Sequence, residues 1–363
     1  MDERQVTRVK EFRQLKKEIR GSEKHLIVGI DVGKERHHAF FGTATGKTVL
    51  KRLVIENTID GFEKLLRHVE AGKVKQCLEK VVFGLEPTAN YHKPLGEFLI
   101  KCDREVVLVA GGAVKNNREM LDGRWDKNDT KDPANIADLI SQGKFLYYNY
   151  PCEALRGLRE LLALKRVQKK QEHRVKVRIR NNLLAKYFPE LERSYGKWGS
   201  EILSIVKWCI DPAVIAGMEY EEFVRLVAPG CKGVASQKER LRAIWQKAID
   251  SIGCDAGESV EFEAKMMVKE LHQIREAIKE TDDEIEKVCL EFPEYSYLLS
   301  IPGFGPDVSS KVLGYIGDPS RFENRSQVVK MAGFDLSASR SGKRSLPKHA
   351  KSGGKASWKT KSA

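Results

Sequence analysis

The chain has no uninterrupted apolar stretch near the about twenty residues of a membrane helix, although 41% of its 363 residues are hydrophobic. Its first residues, Met1-Asp-Glu-Arg-Gln-Val6, are charged and hold no apolar signal core. A cytoplasmic protein with no membrane partner is expected. Paired cysteines are also missing. The seven thiols, at 77, 102, 152, 209, 231, 254 and 289, are scattered and form no Cys-x-x-Cys. Reduced thiols are expected rather than a disulfide frame or a zinc site. Acids are outnumbered, 51 against 64 Lys and Arg, for a net charge of +13. A polyanionic partner, most simply nucleic acid, is the expectation.

The basic residues are not spread evenly. Residues 165–180 carry eight Lys or Arg against the single acid Glu172, and residues 340–363 carry eight and no acid. Lys165, Arg166, Lys169, Lys170, Arg174, Lys176 and Arg178 in the first run, and Arg340, Lys343 and Arg344 in the second, are candidate phosphate contacts. A solvated helix face and a basic tail are the plainer readings.

Along the chain, residues 1–24 read as a charged helical leader. His25–Asp31, Arg36–Gly42 and Lys47–Glu56 read as strands, separated by Gly33-Lys34 and Thr45-Gly46 turns. A helix at 59–71, a short strand at 81–85, a helix at 91–101, a strand at 105–110 and helices near 112–122 and 130–142 follow. This order, β-β-β-α-β-α-β-α, is the ribonuclease-H-like α/β layout, in which the first strand lies beside the fourth. Asp31 and Glu86 then end neighbouring strands, and Asp129 and Asp132 lie one helical turn apart. Four carboxylates around one crevice suit a hard octahedral cation, Mg²⁺ or Mn²⁺, and a two-metal phosphoryl-transfer site. Each acid also has a local alternative: a turn at Asp31, and helix caps at Glu86 and Asp129.

Residues 149–292 turn helical and strongly charged, so an all-α part follows the α/β part. Long helices are expected at 155–186 and 262–290, paired as an antiparallel coiled coil with Thr281 polar at one seam position. Trp198, Trp208 and Trp245 lie in the insertion between them and read as packing residues. After Pro293, the segment Leu298-Leu-Ser-Ile-Pro-Gly-Phe-Gly-Pro-Asp-Val308, continued to Gly317, reads as a helix-hairpin-helix. Gly303 and Gly305 would let its backbone approach a phosphate.

The segments Val28-Gly-Ile-Asp-Val-Gly-Lys34, Glu86-Pro-Thr-Ala-Asn-Tyr-His92, Lys127-Asn-Asp-Thr-Lys-Asp-Pro-Ala-Asn-Ile-Ala137, Ile301-Pro-Gly-Phe-Gly305 and Met331-Ala-Gly-Phe-Asp-Leu-Ser-Ala-Ser-Arg-Ser-Gly-Lys343 span nearly the whole chain. In that order they resemble the DEDD transposases of bacterial insertion sequences, a family that includes the Piv-type invertase. The resemblance implies a RuvC-like domain at 25–148 and a helical coiled-coil region at 149–292. It further implies a C-terminal transposase domain at 293–345, followed by a basic tail at 346–363. By the same resemblance the catalytic tetrad is Asp31, Glu86, Asp129 and Asp132, and Ser341 is the nucleophile. DNA is the implied substrate, a structured guide RNA serves several members, and a dimer or tetramer associated with the nucleoid is the implied working form. Two departures stand out: Pro133 replaces the usual Ala, and the sequence after Lys343 lacks the family's Ile-Ser-Lys-x-Gly continuation, as in a truncated or disordered end. The competing readings are a Holliday-junction-type nuclease using the acids alone and an inactive nucleic-acid-binding remnant.

Overall fold

The computed structural model describes residues 3–122, 131–148, 150–194, 198–229, 235–334, 340–341 and 344–345. It divides into two compact units, Met1–Pro151 with Asp318–Ala363, and Cys152–Gly317.

The first unit is built on a six-stranded mixed sheet. In chain order its first segment comprises α1 (Glu3–Ile19), β1 (His25–Val32), β2 (Arg36–Thr43), β3 (Thr48–Glu56), α2 (Ile59–Gln76), β4 (Lys80–Leu85), α3 (His92–Lys101), β5 (Glu105–Leu108), α4 (Gly111–Asp122), α5 (Lys131–Ser141) and β6 (Leu146–Tyr147). The spatial order is β3-β2-β1-β4-β5-β6. β1, β4 and β5 are parallel, and the hairpins β1–β2 and β2–β3 and the β5–β6 pair are antiparallel. The first strand lies beside the fourth, as the element order implies. β6, only two residues long, is too short to leave a periodic signal in the sequence.

Strand alternation sorts the central residues between two cores. Leu26, Val28 and Ile30 of β1 pack with Phe83 and Leu85 of β4 against α2 and α3, where Phe62, Leu65, Leu95 and Leu99 are buried. Ile27, Val82 and Val107 face the other way, onto Ile19 of α1, Val114 of α4, and Ile136 and Ile140 of α5. A strand buried on both faces reads as a continuous apolar run, which is why His25–Ile30 shows no alternation in sequence. α2 is closed by caps: Thr58 Oγ1 accepts from the Gly61 N–H at 3.2 Å, and Cys77 takes the left-handed conformation (φ 52°) at the other end.

The second unit is helical. α6 (Glu153–Arg178) runs into a π-helical segment, Ile179–Leu184, and the short α7 (Ala185–Tyr187). Next come α8 (Pro189–Ser194), α9 (Ser200–Trp208), α10 (Pro212–Ala216), α11 (Tyr220–Val227) and α12 (Ala235–Ile249). They are followed by the long α13 (Glu258–Cys289), α14 (Pro293–Leu299) and α15 (Pro306–Ile316). α6 and α13 pack antiparallel: Lys165 meets Asp282, the Gln168 amide donates to the Ala277 carbonyl, Glu172 meets Arg275, and Arg178 meets Glu263. One end of the pair, with Leu155, Leu158, Leu162, Ile285 and Cys289, packs on Tyr295 and Leu313 of α14 and α15. The other end joins Val175, Ile179 and Leu183 to Met267 and Leu271 and to the buried faces of α8–α12. Thr281 is buried at the seam, and its hydroxyl donates to the Ala277 carbonyl at 2.7 Å.

Trp198 and Trp245 pack partly buried in this core, and the Trp245 indole N–H donates to the Met218 carbonyl at 3.1 Å. Trp208 departs from the packing expectation. As the last residue of α9 it is 46% exposed, with the Lys207 ammonium 4.5 Å from its ring centre. Cys209 and Ile210, which follow it, take the buried positions instead. Among the described residues no helix is long and apolar enough to cross a membrane.

Candidate active site

Gly29 and Gly84 are register partners across β1 and β4. A side chain on Gly29 would overlap the Pro133 carbonyl and crowd the Ala137 amide, and one on Gly84 would overlap Ile140. Only glycine lets α5 rest directly on these two backbones. Two residues further along each chain, the same face carries Asp31 and Glu86. Ladder geometry persists to this point, since the Glu86 N–H donates to the Ile30 carbonyl at 3.4 Å. Both acids are half-buried. Glu86 Oε1 lies against Gly111 at the start of α4, 2.7 Å from where a Cβ on that residue would stand. A side chain at Gly111 would displace the carboxylate.

Asp132 enters from α5, in the turn whose Pro133 sits on Gly29. It is 1% exposed. Arg118 of α4 donates to its Oδ1 through Nε at 2.9 Å and Nη2 at 2.6 Å. The two helices are further tied by Asn117, which donates to Asn135 Oδ1 at 2.5 Å and to Asp138 Oδ2 at 2.8 Å. Asn135 in turn donates to the Val114 carbonyl at 2.6 Å. A buried polar network satisfied in this way fixes the register of α4 on α5, and so the height of Asp132 above the sheet.

Of the four acids, Asp31 and Glu86 stand side by side, and Asp132 approaches from the helix layer on the same face with one oxygen held by Arg118. Asp129 lies outside the described residues. Among the described residues no three His, Cys, Asp or Glu side chains are close enough to share one cation. The adjacent pair of hard oxygen donors fits Mg²⁺ or Mn²⁺ in kind. A cation reaching Asp132 would share that carboxylate with Arg118.

The basic run of α6 is less uniformly free than its sequence suggests. Lys165 is largely buried, with 12% of its side chain exposed, and reaches Asp282 at 2.5 Å and Asp307 at 2.6 Å. Lys169 and Lys176 both pair with the buried Glu172, and Arg178 pairs with Glu263. Burial works against an ionised Glu172, but Lys176 and Lys169 outweigh it and hold the carboxyl at about 2. Arg166, Lys169, Lys170, Arg174 and Arg178 keep exposed positions on the helix.

In the hairpin between α14 and α15, Gly303 has φ +85°, a conformation that favours glycine, and a Cβ on Gly303 or Gly305 would meet open space. Asp307, in the first turn of α15, is exposed; partial desolvation works against its ionised form, yet Lys165 and Lys311 keep its carboxyl below the ordinary range. Ser341 lies in β7 (Arg340–Ser341), which pairs antiparallel with β8 (Arg344–Ser345), Ser341 opposite Arg344. Lys343 and the tail at 346–363 lie outside the described residues.

Two family models match the chain. The DEDD transposase model of the IS110 group covers residues 28–189, and a model described as the transposase IS116/IS110/IS902 family covers residues 295–359. The insertion element IS116 uncharacterized 44.8 kDa protein of Streptomyces clavuligerus is 25% identical over 321 residues, 85% of this chain and 75% of its own length. The insertion element IS110 uncharacterized 43.6 kDa protein of Streptomyces coelicolor is 24% identical over 337 residues, 91% and 80% of the two chains. The first model includes Asp31, Glu86 and Asp132 and the sheet that pairs the first two, and the second includes Ser341. Together they span well over half the sequence, and the chain belongs to the IS116/IS110/IS902 family of DEDD transposases.

Proposed function

We propose that this protein is a DNA recombinase of an insertion sequence, working with the acid tetrad Asp31, Glu86, Asp129 and Asp132 and with Ser341 as nucleophile. The observation that carries the reading is the adjacency of Asp31 and Glu86 beyond the Gly29–Gly84 pair, with α5 and its Asp132 laid on the same face. Domain limits at 25–148, 149–292 and 293–345 go with this reading, as do the coiled-coil description of α6 and α13 and the DNA-binding role of the Gly303–Gly305 hairpin.

Mg²⁺ or Mn²⁺, when bound at the acids, would supply positive charge to a phosphate and acidify a coordinated hydroxyl. Asp31 and Glu86 hold and orient that charge from the strand ends. Arg118 keeps the Asp132 carboxylate fixed on α5. The Ser341 hydroxyl oxygen attacks a DNA phosphorus and loses its proton to a neighbouring base. The phosphorus–O3′ bond breaks, and the DNA 3′-oxygen leaves with a proton. The resulting phosphoserine ester stores the bond energy for rejoining without ATP. Basic residues Arg340, Lys343 and Arg344 supply charge for the phosphate, and the exposed cations of α6 supply backbone contacts to DNA or to a guide RNA. A tetramer or dimer is the proposed working form.

The test is trapping on element-end or junction DNA with Mg²⁺. The expected result is a covalent protein–DNA adduct that disappears in Ser341→Ala and in Asp31→Asn. Cleavage without any adduct would replace this reading with a nuclease that uses water. Binding without cleavage would leave a nucleic-acid-binding protein.

A further inference from the structure

β2 sets His38 directly opposite Asp31. Facing residues of an antiparallel pair project from the same side of the sheet, with Cβ atoms about 4.5–5.5 Å apart. That side is identified independently by Phe40, two residues from His38, which packs with Ile27, Ile136 and Ile140 in the α5-side core. Neighbouring His37 turns the other way: it is fully buried and stacks on Phe62 with ring centres 6.0 Å apart. His38 is only half-buried. Across β2, β1 and β4 the row on the candidate active face is therefore His38, Asp31, Glu86.

We propose that His38 is a positioning residue for Asp31, its imidazole N–H donating to the carboxylate and keeping it turned toward Glu86. A carboxylate that binds a cation keeps its orientation through such outer hydrogen bonds, and their loss typically costs about 10–100-fold in metal affinity. The inference rests on the reading of Asp31 and Glu86 as a cation-binding pair, and its test separates the two.

Mn²⁺ binding to the full chain is measured by calorimetry and by the Mn²⁺ paramagnetic resonance signal, with no turnover involved. His38→Leu is expected to weaken binding about 10–100-fold, and His38→Gln, which keeps an N–H donor, to recover most of it. His37→Leu, which removes the ring on the opposite face, is expected to leave the affinity unchanged. Should His38→Leu not fold, His38→Ala takes its place against His38→Gln. Wild-type affinity in His38→Leu, or no recovery in His38→Gln, overturns the role of His38. So does an equal loss in His37→Leu, which would mark a packing effect. Asp31→Asn reports on the underlying pair: if it loses Mn²⁺ while His38→Leu does not, only the His38 proposal falls. If Asp31→Asn binds Mn²⁺ like the wild type, both readings fall.

Discussion

Gly29 faces Gly84 across the β1–β4 ladder, and α5 lies on both. The close packing sets the distance between the strand ends that carry Asp31 and Glu86 and the helix that carries Asp132. Glycine here serves close approach of helix to sheet rather than an unusual turn.

Gly29→Ala should lift α5 from the sheet. Its new methyl meets the Pro133 carbonyl and the Ala137 amide, and neither can yield by a rotamer change. A loss of about 1–3 kcal/mol is expected, as for overpacked cores. Thermal unfolding checks it, and an unchanged midpoint would show that α5 adjusts freely.

Arg118→Met should leave the Asp132 carboxylate buried without its counter-charge. Removing one partner of a buried pair costs about 3–5 kcal/mol. If Asp132 also binds a cation, Mg²⁺ or Mn²⁺ should restore part of the loss in Arg118→Met and none in the double variant with Asp132→Asn. Urea unfolding with and without the ion measures both effects. Equal response in the two variants would remove Asp132 from the cation site.

Glu172 gives the second unit an acid limit. Burial pushes its carboxyl up, but Lys176 and Lys169 prevail and set it at about 2 against an ordinary 4.5. A lowered folded value means that the ionised form adds stability. That stability is complete above the ordinary 4.5 and is lost as pH falls toward about 2. The difference corresponds to at most about 3 kcal/mol, and solvent screening of the lysines reduces it. Glu172→Gln should lower stability at neutral pH and flatten its fall across this window. Parallel acid curves for variant and wild type would assign the acid limit to other groups.

Nucleic-acid binding should separate the cations of α6 by their partners. Charge reversal at Arg166, Lys170 and Arg174, all exposed, is expected to weaken binding. It should also reduce the salt slope by about 0.7–0.9 for each phosphate no longer neutralised. Lys165→Glu should instead destabilise the fold, because Asp282 and Asp307 lose their shared counter-charge. An unchanged salt slope in the triple reversal would place the binding surface elsewhere.

Much of this architecture is legible along the chain. His25–Ile30 and Val81–Leu85 are apolar runs of strand length, and each is followed by an acid. Ile59, Phe62, Leu65, Leu66 and Val69 keep helical spacing. Local periodicity is a property of neighbouring residues, so it survives in one dimension. The π-helical segment at Ile179–Leu184 has no such signature. It continues α6 with the same residue types, while Leu183 and Leu184 follow the core. Lys165 reads as a surface cation because its two acids lie more than a hundred residues away.

The sequence by itself determined which residue types could carry chemistry: acids at strand ends, a serine in a basic loop, cations crowded on one helix. Backbone propensity and hydrophobic period are enough for that, being set by steps of two to four residues. The tertiary structure alone decided which of them meet. Pairing of β1 with β4 brings Asp31 to Glu86, and pairing with β2 brings His38 to Asp31. The approach of α5 over two glycines brings Asp132 above the same face, and the packing of α4 on α5 closes Arg118 onto it. These encounters depend on strand register and helix height, which arise from contacts between segments far apart in the chain.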